Sequence, residues 1–496
     1  MDALTIVTGT ALLLIAIGIS DRDNGSWVIL TGFAMAAVAV MIRLFSGDGL
    51  IQIGIELLRD CGISLLIASA YMAVRKLAEH ARPYMILGMA SLILSGLLFG
   101  AQYLWQTVWN HETLSVLVEL GLDDSIEEVE GILTQYADAW EQAFPTVAFS
   151  DDRDLSQIYL VHVSESHVHD MMSALRADAE NIDHVELNKA VQLFLPPSEQ
   201  AIHPTSKDVP ENDPLVDLQW ALDAVQGHEA LQVLKLEKPQ RRARIAIVDT
   251  GVESDHEDLE MVYVKGVHYD GNGHGTHCAG LAGATTNNGL GIASLNWEGR
   301  FVELMGFRAL SESGHGSLEQ IAQAVIDAVQ ANADVISMSL GLRSDEEPRV
   351  LFHAVEFALE RGVIVVASSG NSNEDALGHY PSSIEDVIAI AAVDQTLSKA
   401  TFSNTVGNLS RPLAAPGVDI HSTFHGGDYE TLSGTSMATP IVAGLVAVML
   451  SINPKLTSDD IYTILHETGR EISDTPLVGR LINAENAIER AKNIHI

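Results

Sequence analysis

Four short segments carry the residue types that acyl-transfer chemistry uses. The one nearest the C-terminus, Thr431 to Leu450, reads TLSGTSMATPIVAGLVAVML. It sets Ser436 between a Gly434-Thr435 turn and an apolar run of helical length, so the hydroxyl falls at or just before a helix N-terminus. Free backbone N–H groups and the positive end of the helix dipole there favour a developing negative charge, as a serine nucleophile requires. Pro440 suits the first helical turn, where a missing N–H costs no hydrogen bond. A buried helix capped by Ser433 or Thr435 would read the same way, so the case for chemistry rests on the other three segments.

Upstream, the buried strand ARIAIV, Ala243 to Val248, ends in Asp249-Thr250-Gly251, with a turn aspartate as the plainer reading. The stretch Asp270 to Gly280, DGNGHGTHCAG, is a glycine-rich turn feeding a helix with His274 at its start. His274 and His277 have metal-ligand spacing, but no HExxH pattern or third ligand accompanies them. A further strand, VIVVA from Val363 to Ala367, ends in Ser368-Ser369-Gly370-Asn371 and offers a side-chain amide there. Catalytic groups of open α/β sheets gather at the carboxyl ends of strands, where Asp249 and Asn371 both fall.

The elements that must position these groups alternate from Trp220 to the end, as in a doubly wound sheet. Residues 112–195 differ. Leu114 to Leu120 reads as a strand, Asp124 to Ala143 as an acidic amphipathic helix and Pro145 to Phe149 as a short strand. Ile158 to Val163 is a strand, His167 to Ala179 a helix and His184 to Leu195 a last strand. The order βαββαβ is the α+β, ferredoxin-like pattern. His162, His167 and His169 lack the cysteine or carboxylate partners of a metal site and read as solvated. These patterns divide the chain at 1–110, 111–196, a proline-punctuated linker at 197–214 that is open to a protease, and 215–496.

The first 110 residues read as an α-helical transmembrane region. Ala3 to Ser20, Trp27 to Ile42 and Tyr84 to Trp105 are apolar runs of spanning or near-spanning length, and Leu50 to Val74, interrupted by Glu56, Arg59 and Asp60, is a fourth or an interfacial helix. The basic connection RKLAEHAR, Arg75 to Arg82, faces the cytoplasm on this reading, which puts everything after Trp105 outside it. Of 66 acidic and 28 basic residues, this region holds seven and six, so all but one unit of the net charge of -38 belongs to the remainder. Such an acidic body repels nucleic acid, and the lipid bilayer is the expected partner of the N-terminal part. Two cysteines, Cys61 and Cys278, make no disulfide framework.

Together, DTG, GHGTHCAG, SSGN and GTSMATP resemble the signatures of the subtilisin-family serine proteases, in identity and in order. Cys278 after His277 is similar to the proteinase K branch. The resemblance spans about residue 212 to the C-terminus; residues 111–196 resemble, by position and pattern, that family's inhibitory propeptide.

The resemblance implies a subtilisin-like endopeptidase acting on protein or peptide substrates, with its own propeptide-like domain as a further partner. Ser436 would attack the scissile carbonyl, His274 would act as general base and acid, and Asp249 would orient the imidazole. Asn371 and the Ser436 N–H would hold the oxyanion. Gly314, His315 and Gly316, with Ser339, Leu340 and Gly341, match the two strands that clamp an extended peptide. Ser368, Ser369 and Gly370 would line the first specificity pocket, His379 would make its floor shallower, and Leu318 would line a second, apolar pocket. No cofactor is required for the chemistry. Asp258 and Asn288 match positions of a family structural Ca2+ site, although an Asn-Asn-Gly turn needs no metal. The expected function is a membrane-anchored, extracytoplasmic endopeptidase that cuts its own linker. The alternatives are a protease dedicated to one partner and a silent binding scaffold.

Overall fold

A computed structural model describes residues 113–197 and 211–494. The chain divides into two units, Met1–Glu112 and Thr113–Ile496. The apolar runs read as membrane spans, and the topology drawn from them, lie outside the described residues, as does most of the linker.

Strands β1 (Thr113–Leu120), β2 (Ala137–Gln142), β3 (Ile158–Ser164) and β4 (Ile182–Leu187) form a sheet in the order β2-β3-β1-β4, antiparallel at each pairing. Helices α1 (Ile126–Tyr136) and α2 (Glu165–Ala177) lie with it. Alternation along the strands explains both of its faces. Val116, Val118 and Leu120 of β1 and Val161 and Val163 of β3 join Leu133, Met171 and Leu175 of the helices in one core. Leu117 and Ile158, pointing the other way, join a core of the second half of the unit.

Three local expectations give way here. The helix from Asp124 stops at Tyr136, because Ala137 to Gln142 pair with β3 and the ladder overrides a weak helical preference. Pro145 to Phe149 form turns and not a strand. The final strand breaks at Asn188-Lys189 into β4 and β5 (Ala190–Gln192).

The remainder is built on a parallel sheet. Its strands are β6 (Ala243–Asp249), β7 (Tyr263–Gly266), β8 (Val302–Arg308), β10 (Val335–Met338), β12 (Ile364–Ser368), β14 (Ile388–Val393), β15 (Pro412–Pro416) and β18 (Arg480–Leu481), in the order β18-β15-β14-β12-β10-β6-β8-β7. Outside it lie three ribbons: β5 with β9 (His315–Ser317), β11 (Leu342–Arg343) with β13 (His379–Tyr380), and β16 (Ile420–Phe424) with β17 (Asp428–Leu432). The longer helices are α3 (Gly227–Leu236), α4 (His274–Gly283), α5 (Leu318–Gln330), α6 (Arg349–Glu360), α7 (Thr435–Ile452), α8 (Ser458–Thr468) and α9 (Ala484–Asn493).

Parallel strands covered on both faces alternate between two cores. Ile245, Ile247, Val302, Leu304 and Val366 pack toward α3, α4, α7, α8 and α9. Ala246, Val248, Met305, Phe307 and Val365 pack toward α5 and α6, the side that also receives Leu117, Phe144 and Ile158 of the antiparallel unit. Among the described residues, α7 alone has the length and hydropathy to cross a membrane, but it is buried along its whole length and is the central helix of this core.

Candidate active site

Asp249 is the last residue of β6 and is fully buried. One of its carboxylate oxygens accepts from His274 Nδ1 at 2.7 Å and from the Thr250 N–H at 2.7 Å. His274 opens α4, and a second buried carboxylate holds that opening in place. Asp270 accepts from Thr250 Oγ1 at 2.9 Å and from the Thr276 N–H and hydroxyl at 2.9 and 2.8 Å, satisfying a first-turn donor of α4. Helix and strand meet this closely only because Gly275 has no side chain: a Cβ there would lie 2.0 Å from the Gly251 carbonyl oxygen. His274 Nε2 is buried with no hydrogen-bond partner among the described residues.

Ser436 is the second residue of α7. Its hydroxyl donates to the Ser339 carbonyl at 3.2 Å and not to the His274 imidazole. The Ser436 carbonyl is held by Ser339 Oγ at 2.8 Å and Cys278 Sγ at 3.6 Å. Burial, and next the Asp249 charge, push the Cys278 thiol well above its ordinary range. His277, the other histidine of the motif, turns away: its Nε2 donates to the carbonyls of Ile420 at 3.1 Å and Glu430 at 3.2 Å, and burial holds it neutral with a pKa lowered to about 3.

Asn371, just beyond β12, is fixed at its oxygen. That oxygen accepts from the Thr435 N–H at 2.9 Å and the Thr435 hydroxyl at 3.0 Å, which aims the Nδ2 donor outward. Nδ2 donates to the Phe194 carbonyl at 2.9 Å. Phe194 belongs to the segment that leaves the antiparallel unit through β5. Val191 pairs with Gly316 and Gln192 with His315, and the Leu193 N–H donates to the Gly314 carbonyl at 2.8 Å. The chain's own residues 190–194 thus lie in the cleft with Ser339, Leu340, Gly341, Ser368, Gly370, Asn371 and Ser436 along its walls. Val191 is buried against Leu318 in one core. Ser369 is buried behind the wall, its carbonyl accepting from Asn404 Nδ2 at 2.8 Å.

The same segment seals two helix ends. The Asn188 side chain accepts from the Glu319 N–H at 3.1 Å at the start of α5, and Glu186 accepts from the Val350 N–H at 2.9 Å at the start of α6. Nearby, the buried Glu119 accepts from Arg349 Nη2 at 3.3 Å and meets His353 Nε2 at 3.2 Å.

The candidate calcium pair meets, but not as a chelate. Asn288 Nδ2 donates to Asp258 at 2.9 Å, while the Asn288 oxygen accepts from the Leu290 N–H at 2.8 Å. Asp258 also accepts from the Ile292 N–H at 2.9 Å and the Tyr429 hydroxyl at 2.9 Å. The loop turns its N–H groups inward, those of Asn287 and Asn288 onto Asp213 at 2.8 and 3.1 Å. Ca2+ needs converging oxygen acceptors; here donors converge on carboxylates already inside the site, so these residues do not fit the ion.

Sequence reasoning singled out Asp249, His274, Asn371 and Ser436; the structure pairs His274 with Asp249, sets Ser436 and Asn371 on the walls of one cleft, and places Cys278 between the two pairs, grouped with Asp249 and His274 and in contact with the Ser436 carbonyl. It missed the parts played by Asp270, the first residue of DGNGHGT, and Thr435, the middle residue of GTS, which read only as turn or cap residues. It also missed that Phe194, upstream of the expected 197–214 linker, is the residue presented to the site.

The Subtilase family (Peptidase S8) profile matches residues 240–484. A thermophilic serine proteinase of Bacillus sp. (strain AK1) is 41% identical over 255 residues, 49% of this chain and 61% of that protein, so the match spans less than two thirds of that relative. Subtilisin DY of Bacillus licheniformis is 38% identical over 259 residues, 50% of this chain and 90% of that protein. An alkaline protease of Shouchella clausii is 33% identical over 353 residues, 70% of this chain and 86% of that protein, a match too long to lie wholly within the residues after the linker.

Proposed function

From the premise that this chain belongs to the subtilase family, we propose that it is a membrane-anchored serine endopeptidase that cuts itself once, between Phe194 and Leu195. A serine endopeptidase acts on peptide bonds of proteins, and one contact carries the rest of the reading: the Asn371 amide on the Phe194 carbonyl at 2.9 Å, at the end of a strand paired to the cleft.

In this reading Ser436 Oγ rotates from the Ser339 carbonyl and attacks the Phe194 carbonyl carbon, passing its proton to His274 Nε2. Negative charge gathers on the Phe194 oxygen, toward which Asn371 Nδ2 already points. Asp249 keeps Nδ1 protonated and favours the imidazolium that forms. His274 then gives the proton to the Leu195 nitrogen as the C–N bond breaks, and water hydrolyses the acyl-enzyme by the same route. Residues 113–194 remain bound through the sealed helix ends and the shared core, so they act as an inhibitory propeptide after the cut. The longer match to the alkaline protease is in keeping with this role. Anchoring and an extracytoplasmic catalytic domain rest on the apolar runs and the basic loop of residues 1–110.

Mass spectrometry of N-termini tests the reading. Purified wild-type chain yields a new N-terminus at Leu195, whereas Ser436→Ala stays full length in the same host-free preparation. Equal processing of both would end the self-cleavage reading, and a serine-dependent cut at another bond would overturn the role given to Phe194.

A further inference from the structure

The carbonyl held by Asn371 identifies the residue whose side chain should occupy the primary pocket, yet the Phe194 side chain lies outside, with the residue 65% exposed. The slot it would enter is already filled. Its walls are the segments Ser339–Gly341 and Ser368–Gly370, and the His379 ring lies between two of their glycines. A Cβ on Gly341 would come within 2.5 Å of His379 Cε1, and one on Gly370 within 2.7 Å of Nε2. Only glycine on both walls admits the imidazole. The remaining volume, about 260 Å3, belongs to a cleft whose lining runs from Ala190 to Ser436 and includes His379 itself.

Hydrogen-bond bookkeeping determines the chemical character of this floor. Ser382 Oγ donates its one hydrogen to the His379 carbonyl at 2.9 Å, so toward His379 Nδ1, at 3.1 Å, it can only accept. The ring is neutral at physiological pH, because burial and then the Arg343 charge lower its pKa to about 4. The single ring proton therefore sits on Nδ1. Nε2 presents a lone pair to the pocket and has no hydrogen-bond partner among the described residues.

We propose that His379 sets the substrate class of this site: wedged between Gly341 and Gly370, it excludes large side chains from the primary pocket, and its Nε2 accepts from a small hydroxyl-bearing residue, serine or threonine, on the acyl side of the cleaved bond. The inference rests on the endopeptidase reading above and narrows it. Cleavage after Phe194 does not conflict, since tethering presents that carbonyl at high effective concentration without the ring entering the pocket. Substrates acting in trans have no such tether and must use the pocket.

The test uses the processed enzyme and peptides of sequence Val-Gln-Leu-X with a fluorogenic leaving group, X being Ser, Thr, Ala, Leu or Phe, with Ser436→Ala as the blank. Expected kcat/KM for Ser and Thr exceeds that for Ala by roughly fivefold, one hydrogen bond's worth, and that for Phe by more than about tenfold. In His379→Gly the order reverses, with Phe gaining at least about tenfold. His379→Leu, which fills the slot without an acceptor, keeps the bias against Phe and loses the gap between Ser and Ala. Wild type favouring Phe, or a profile unchanged in His379→Gly, overturns the proposal alone. Absence of any Ser436-dependent hydrolysis would overturn the reading beneath it, and the proposal with it.

Discussion

Replacing Glu119 by Gln should loosen the grip of the antiparallel unit on the protease and flatten the pH dependence of that grip. Glu119 reaches across the interface to Arg349 and His353 on α6; its side chain is 4% exposed, that of His353 8% and that of Arg349 41%. Removing one member of a buried, hydrogen-bonded charge pair costs several kcal/mol, whereas the half-exposed Arg349 contact contributes little. About 2 kcal/mol, or roughly a 30-fold weaker hold, is the resulting expectation. Burial alone would lower the His353 pKa, but the bond and charge of Glu119 outweigh it and raise it above 6.5. The protonated pair therefore contributes fully below 6.5 and is lost as pH rises through the raised bound-state value. Burial likewise works to raise the Glu119 pKa, and His353 and Arg349 overcome it, lowering it below 4.5. That contribution is present above 4.5 and fades as pH falls through the lowered value. Glu186, raised by burial, and Glu356, raised by burial on the face of α6 beside His353, bias the complex the opposite way, toward acid. The hold is thus strongest on the acid side of neutrality and weakens toward pH 8. The assay is recovery of peptidase activity on diluting the processed complex, from pH 5 to 8.5. An unchanged hold in Glu119→Gln, or a wild-type hold that strengthens above pH 7, would refute the reasoning.

Thr435→Val removes one of the two bonds that aim Asn371; kcat should fall by about tenfold with KM nearly unchanged, less than the roughly 100- to 1000-fold for Asn371→Ala, a magnitude established on a subtilisin and carried over here. A change confined to KM would show that Thr435 acts on the substrate instead. Thermal unfolding should be the same in excess chelator as in millimolar calcium as far as the Asp258 loop is concerned, and Tyr429→Phe should cost about 1 kcal/mol by removing one donor to Asp258. A calcium-dependent rise in Tm that disappears in Asp258→Asn would sink that account.

Much of the site was legible because its groups stand at ends of elements, and ends have local signatures. A β-branched run followed by Asp249-Thr250-Gly251, a glycine turn before His274, and a Gly-Thr-Ser step into an apolar helix each report their position through backbone chemistry alone. The parallel sheet was legible for the same reason, since strands covered on both faces read as continuous apolar runs. Contacts between distant segments were not legible. Nothing near Glu119 in sequence announces His353, and nothing in Lys189-Ala190-Val191 announces a partner strand at Gly316. The acid-rich stretch after Tyr136 reads as helix because its periodicity is helical, and only the ladder to β3 makes it a strand. Asp258 and Asn288 read as oxygen ligands because residue type names the donor set; which atom of the amide faces the carboxylate is decided by the Leu290 N–H, a contact that exists only once the loop has folded. Which residue types stand at the ends of these elements could be read from the chain alone. Which of their atoms face one another depends on tertiary contacts, and so does the seat of the Phe194 carbonyl on the Asn371 amide, which follows from where β5 finds an edge to pair with.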